Sequence, residues 1–418
     1  MKNLLLCITL ILLAAACTKT YDLTDPADAR LPLDGTLYIH RSGYVESLNT
    51  KDSSTNWVTE IVNLRGAFNN PLVMDSTSFY HGNEGGITAY SLFDGSPRWQ
   101  FSYPVTIANY PIFNYVEVAV NDSLVLLATP TTVGCYGYMY ALNKKDGRLR
   151  WQQRLDYGDF WKNFYSTTLL SHDLAFSLTR DENDHKHLSA IDIKDGHIVW
   201  TSEANDQLSP NIEVHDNKIY STTNRWIYSY NALDGKLDWS TDLEIDDFEM
   251  TSTFFEAGKL ILVKAQGLHY DIFTIEAGGA IENHISYTVT ASPKYDYGSP
   301  IGCNYSNNQL FITSRYEMDS IDVDAFNYPS MTKRWHKRFY TPNPQETAPV
   351  MTDKYLIFPL NVDFDNSKSL AYFLDFDGNI KTQIPFHAIY NSGFVYKENN
   401  QVFNQHNAYV RKSNNYFY

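Results

Sequence analysis

Tyr228-Ser229-Tyr230-Asn231-Ala232-Leu233-Asp234-Gly235-Lys236-Leu237-Asp238-Trp239 is the stretch whose reading decides the fold. Tyr228 and Tyr230 alternate with Ser229 and Asn231, the period of a half-buried strand. Asp234-Gly235 is a tight-turn dipeptide, because glycine adopts the positive φ that such a turn requires. Leu237 and Trp239 alternate again, so a second strand leaves the turn. The unit is a β-hairpin that sets a tryptophan at a fixed distance from a glycine.

The unit recurs. Gly95 leads to Trp99, Gly147 to Trp151 and Gly196 to Trp200, always with the tryptophan four residues after the glycine. Ala89, Ala141 and Ala190 each stand six residues before the glycine. Weaker copies place Trp57 after Asp52-Ser53 and Trp335 after Met331. Two further copies keep the turn and lose the tryptophan, with Asn283 after Gly279 and Thr382 after Gly378. The frame positions 57, 99, 151, 200, 239, 283, 335 and 382 are separated by 39 to 52 residues. Each interval has room for four strands, and a period of this length predicts a β-propeller.

Upstream of each hairpin the same order repeats. A first strand often follows a proline: 71–74, 111–113, 210–212, 300–301 and 349–351. An apolar second strand comes next, as in 123–127, 218–220, 259–263, 309–312 and 355–358. Pro97 lies in a fourth strand, and a residue that cannot donate to a ladder suits an outer edge. Repeat one begins directly with Leu37–His40 and Tyr44–Leu48 and lacks a first strand. The tail segments 394–396 and 401–403 are expected to supply it and close the ring, with 408–411 as an additional tail strand. The fold expected is all-β, one propeller of eight four-stranded blades, with seven blades the alternative.

Residues 1–16 read as a lipoprotein signal. Lys2 gives a basic start, Leu4–Leu13 is too short for a permanent span, and Ala14-Ala15-Ala16 precede Cys17. Cys17 is the expected lipidation site, 17–35 the tether and 36–418 the propeller. Several acyl chains on one cysteine suffice for stable anchoring. The formal charge is −15, and loss of Lys2 with the signal makes it −16. That charge disfavours nucleic acid and anionic lipid surfaces as partners. Cys135 and Cys303 lie in different repeats and read as separate buried thiols, although an oxidising compartment permits a bond.

At these residues the chain resembles the PQQ-like β-propeller repeat family, over about residues 37–411. A lipid-anchored single propeller of this length resembles, within it, the BamB-type lipoproteins of outer-membrane β-barrel assembly. That resemblance implies a non-catalytic scaffold at the bacterial outer membrane, facing periplasm or cell surface, that binds protein partners and needs no cofactor. A surface lipoprotein that binds glycan or another ligand is the alternative. The other branch of the superfamily, the quinone-dependent dehydrogenases, implies pyrroloquinoline quinone and Ca²⁺ in the channel. Many of its members carry adjacent cysteines, and some a CxxCH segment; this sequence has neither.

Few constellations suggest chemistry. His185 and His187, with Asp181, Glu182 and Asp184, offer metal-ligand types, but no third ligand is fixed by spacing, so a solvated turn is the expectation. Asp375-Phe376-Asp377-Gly378-Asn379 resembles the front of a Ca²⁺ loop without its closing glutamate. Asp242–Glu249 is an acidic cluster, read as a solvated loop. Trp161 and Trp226 stand off the repeat frame, where an aromatic can anchor a partner, stack on a sugar or, equally, fill the core. No catalytic, cofactor or metal site is assigned.

Overall fold

The computed structural model describes residues 34–410, apart from 62–71, 104–116, 131–135, 157–167, 181–184, 204–211, 246–249, 290–298, 342–348, 362–368, 387–393 and 405–408 and a few positions in tight loops. Leu31–Tyr418 form one unit and Met1–Arg30 another. Cys17 therefore lies outside the described residues, as do Cys135 and Trp161. The described residues form eight antiparallel sheets and no helix.

The first sheet holds β1 (Gly35–Arg41), β2 (Tyr44–Asn49) and β3 (Thr55–Glu60). The second is β4 (Val73–Met74), β5 (Ser78–Asn83), β6 (Gly86–Ser91) and β7 (Pro97–Ser102). The third is β8 (Glu117–Val120), β9 (Leu124–Pro130), β10 (Tyr136–Asn143) and β11 (Leu149–Asp156). The fourth is β12 (Thr168–Ser171), β13 (Leu174–Arg180), β14 (Lys186–Asp192) and β15 (Ile198–Glu203). The fifth is β16 (Ile212–His215), β17 (Lys218–Thr222), β18 (Trp226–Asn231) and β19 (Leu237–Asp242). The sixth is β20 (Met250–Glu256), β21 (Lys259–Gln266), β22 (His269–Ile275) and β23 (Ile281–Thr288). The seventh is β24 (Ser299–Ser306), β25 (Gln309–Glu317), β26 (Ser320–Asn327) and β27 (Thr332–Tyr340). The eighth is β28 (Val350–Met351), β29 (Tyr355–Asn361), β30 (Ser369–Asp375) and β31 (Ile380–Phe386). The tail gives β32 (Phe394–Glu398), β33 (Gln401–Asn404) and β34 (Tyr409–Val410).

Each sheet is a blade whose first strand is innermost and fourth outermost; Pro97 is on an outer strand, as expected. The predicted strand 111–113 lies outside the described residues, and β8 is the first described strand of blade three. One expectation needs correction. The closing blade has five strands, in the order β3-β2-β1-β32-β33. The tail therefore adds two strands to it, and β34 goes elsewhere, pairing with β20 of blade six. Eight blades result because both chain ends share one of them.

The third strands are more buried than a half-buried reading of Tyr228–Asn231 implies: Tyr230 is 3% exposed and Ser229 0%, while Tyr228 and Asn231 stay partly exposed. A blade is packed between two neighbours, so alternation along it selects which neighbour a side chain meets. Ile261, Val263 and Tyr270 of blade six pack with Ile312 and Phe326 of blade seven. Leu260, Leu262 and Phe273 pack instead with Tyr220 and Ile227 of blade five.

The repeated tryptophan joins one blade to the next. The Nε1–H of Trp57, Trp99, Trp151, Trp200, Trp239 and Trp335 donates to the carbonyl of Leu92, Lys144, Ile193, Ala232, Ala277 and Phe376, at 2.8 to 3.2 Å. Each indole lies on the turn glycine of the following blade. A Cβ on Gly147 would come within 2.4 Å of Trp99, and one on Gly279 within 2.6 Å of Trp239. Glycine is needed there twice over, for this approach and for its positive φ. Two junctions lack the contact, and both partners are missing together. Asn283 faces the blade-seven turn with Met331 (φ 51°), and Thr382 faces the blade-one turn with Ser53 (φ 61°). Blades seven and eight are thus bounded on either side by a junction without the indole.

Candidate functional site

The winding gives the ring two unlike faces. One carries the first-to-second and third-to-fourth strand turns. These are short and closed by their own side chains: Asp94 Oδ1 accepts from Ser96 N at 3.1 Å, and Asn143 Oδ1 from Lys145 N at 3.0 Å. Residues 375–379 belong to this set. The Asp375 carboxylate accepts from Asn379 N at 2.8 Å and pairs with Lys381 at 2.8 Å, so it closes a turn. The other face carries the second-to-third strand loops and the connections between blades.

Trp226 and His185-Lys186-His187 belong to that second face, at the described ends of blades five and four. Trp161 and residues 181–184 and 246–249 fall outside the described residues. His185 is exposed and His187 half-buried. The group of metal-ligand types that the described residues do bring together is Asp192, Asp195 and His197. It is a turn of the repeat. Asp192 Oδ1 accepts from Lys194 N at 2.7 Å, and Asp195 Oδ1 from His197 N at 3.1 Å and from its ring at 2.6 Å. These bonds already use the carboxylates as turn closures, as in the other blades.

Trp226 stands on a tightly fixed turn. The Thr223 hydroxyl accepts from Trp226 N at 2.8 Å, and Thr223 N donates to the Trp226 carbonyl at 2.8 Å. Arg225 grips the Asp242 carboxylate with two bonds of 2.7 and 2.6 Å. That places the start of the acidic cluster in a partly exposed ion pair. From blade six, the buried Lys264 donates to the Thr223 carbonyl at 2.5 Å. Burial lowers the Lys264 ammonium to about 7. Trp226 itself remains half-exposed at the start of β18. A rigid aromatic on a braced turn loses little conformational freedom when a partner covers it.

Sequence reading missed Lys264 and the other buried ionisable groups. Lys264 shares the parity of Leu260 and Leu262, which face blade five, and that pattern carried the signal. Burial raises Glu213 on β16 to about 7. His81 packs edge-on against His40, with ring centroids 5.5 Å apart. Burial, and then the His40 charge, lower His81 to about 4. Asp322 and Asp324 are both 1% exposed. Arg338 binds Asp322 at 2.7 Å, while Lys333 and His336 bind Asp324 at 2.9 Å. Cys303 is a free, buried thiol in the same junction. Lys264, His81, Asp322, Asp324 and Cys303 are buried between blades, whereas Lys333 and His336 stay partly exposed.

Fold and repeat define an eight-bladed propeller of the PQQ-like class, whose blades are joined by indole-on-glycine contacts. The chain belongs to the BamB family: the family described as outer membrane protein assembly factor BamB matches residues 23–181 and 184–281. The match ends at the start of β23, next to Asn283, where the tryptophan frame first fails. No curated protein sequence matches the chain. BamB from Moraxella catarrhalis is similar at 14% identity and a TM-score of 0.48, over 67% of this chain and 78% of that one. The dihydro-heme d1 dehydrogenase NirN is similar at 12% identity and a TM-score of 0.59, over 87% and 75%. The designed protein Ika8 follows at 11% identity and 0.52, over 83% and 98%. At such identities the likeness concerns the fold alone, which an enzyme and a designed ring share.

Proposed function

We propose that this protein is a non-catalytic scaffold of the cell envelope, anchored at the outer membrane through Cys17, that binds protein partners in outer-membrane β-barrel assembly. Membership of the BamB family supports the class of partner. The observation that carries the binding surface is Trp226, held half-exposed by Thr223, the Arg225–Asp242 pair and Lys264 on the face of the long connections. Binding there needs no bound cofactor; it needs a stiff platform, and the closed ring supplies one.

The test is crosslinking in intact cells, followed by purification of the tagged protein. The expected result is co-purification of a membrane β-barrel assembly protein, with recovery falling about tenfold in Trp226→Ala while the melting temperature is kept. Recovery of glycan-capture or transport proteins without assembly components would overturn the reading. A Cys17→Ala form should be released from the membrane fraction by salt-free washing, while the native chain stays.

A further inference from the structure

We propose that the face carrying the short turns rests on a phospholipid bilayer, with Phe93 and Leu233 inserted among the headgroups and Lys51, Lys145 and Lys194 reaching their phosphates. This rests on the reading of a membrane-anchored chain and adds which face meets the membrane. The direct observation is exposure. Phe93 is 90% exposed and Leu233 65%, although their neighbours Leu92 and Ala232 are buried at 7% and 4%. A single exposed apolar side chain is ordinary. These two occupy the same position of one repeated turn.

The third-to-fourth strand turns of blades one to five are built alike. They open at Asn49, Ser91, Asn143, Asp192 and Asn231, whose side-chain oxygens accept from the N–H two residues on, at 2.7 to 3.1 Å. The residues held in this way are Lys51, Phe93, Lys145, Lys194 and Leu233, all exposed. Three of the five are lysine, so the turn itself does not call for an apolar side chain at Phe93 or Leu233. The aspartate after each of them folds back and accepts from a main-chain N–H of its own turn. Leu149, Ile198 and Leu237, 41 to 51% exposed, open the outer strands beside three of these turns and extend the apolar border.

Phe93 and Leu233 stand on blades two and five, with two lysine-bearing turns between them. A protein hot spot gathers its apolar contacts at one centre. Separate apolar tips interleaved with lysines on one face fit a broad, deformable surface instead. There the apolar side chains enter the headgroup layer while the ammonium groups stay at its phosphates. The net charge of −15 argues against attraction by anionic lipid, so the contact rests on the apolar tips. The chain also joins the ring on this face. Gly35 N donates to Thr50 Oγ1 at 3.0 Å, and Thr50 N to the Gly35 carbonyl at 3.1 Å, in the blade-one turn next to that of Phe93. An anchor at Cys17 therefore pulls on the ring from this side. Residues 18–34 span up to about 60 Å when extended, so the tether alone would not orient the ring. The tips do, and the face of the long connections is then turned away from the bilayer.

The test replaces residues 1–17 by a histidine tag and holds the chain on phosphatidylcholine vesicles that contain a nickel-chelating lipid. An environment-sensitive fluorophore is attached through Phe93→Cys, through Leu233→Cys or, at the end of β21 on the opposite face, through Gln266→Cys. Each chain also carries Cys135→Ser, and Cys303 is buried. At positions 93 and 233 the emission should shift to the blue and be quenched by lipids brominated in their acyl chains. At position 266 it should do neither. Phe93→Ser with Leu233→Ser should remove the same signal from a label at Lys194→Cys and leave the melting temperature unchanged. If a cysteine variant melts early, Lys145→Cys reports from the same face. Water-like emission at positions 93 and 233 on the held chain, or a signal at position 194 that survives the double substitution, would overturn the proposal. Loss of assembly-protein capture in cells on the double substitution, with labels that never meet lipid, would replace the bilayer by a protein partner. A Cys17 without lipid, with the tag-held signal intact, would count against the anchor and not against this face.

Discussion

The buried ionisable residues set how stability depends on pH, and two of them act in opposite directions. His81, at about 4 in the folded protein, must stay neutral inside. The unfolded chain takes up its proton near 6.5, so the stability tied to His81 is present above that value and is lost as pH falls towards 4. Glu213, at about 7, behaves in reverse. Its contribution is present below the unfolded value near 4.5 and is lost as pH rises through 7. Chemical denaturation at a series of pH values should therefore show His81→Leu with a shallower acid limb. Glu213→Gln should show a smaller decline between about pH 5 and 7, by roughly 1–3 kcal/mol. Asp75 adds a more acidic step. Burial raises its carboxyl, but bonds from Thr77 N–H, Tyr80, Lys144 and Ser78 N–H outweigh burial and bring it to about 2. Its contribution is present above about 4 and is lost as pH falls through 2.

At the scale of the strand pair, the indole and the turn glycine act as one joint. A buried tryptophan removes about 150–250 Å² from water, so Trp151→Ala should cost about 3–5 kcal/mol by urea titration. Gly196→Ala should cost a comparable amount, because its Cβ would meet the Trp151 ring at 2.5 Å and the backbone φ is 83°. The bare junctions allow the converse experiment. Thr382→Trp alone should gain nothing, since Ser53 already has a Cβ where the ring would lie. Thr382→Trp with Ser53→Gly should raise the melting temperature above either single change, and a double-mutant cycle reads the coupling. The hairpins were legible in the sequence because Asp-Gly and Trp recur at fixed spacing. Inner strands were legible where a proline marks them, as for β4, β16, β24 and β28; β12 and β20 carry no such marker, and Pro111 stands too far ahead of β8. Lys264 escaped notice because a single lysine within an apolar strand reads as an end, until both faces of that strand prove to be covered.

For the whole molecule, the distribution of joints predicts where the ring yields first. Blades one to six are linked continuously by indoles, and blades seven and eight share one between them. Amide exchange should show blades seven and eight, β24 to β31, losing protection before β5 to β22 under mild denaturant. Uniform protection around the ring would refute this. The family match has the same boundary, since residues 282 to 418 lie beyond it. The sequence pattern revealed the ring and its closure by both ends. It did not reveal the second destination of the tail, because a two-residue pairing across the channel leaves no trace in hydrophobic periodicity.

The shared blade also constrains how the protein comes into being. Its β1 is made long before β32 and β33 and waits for them to lie beside it. A chain that stops before Phe394 leaves β1 without its inner neighbour and the seam open. The closed seam is in this sense a certificate that synthesis has passed β32, and a protease that attacks unpaired strands would read it as one.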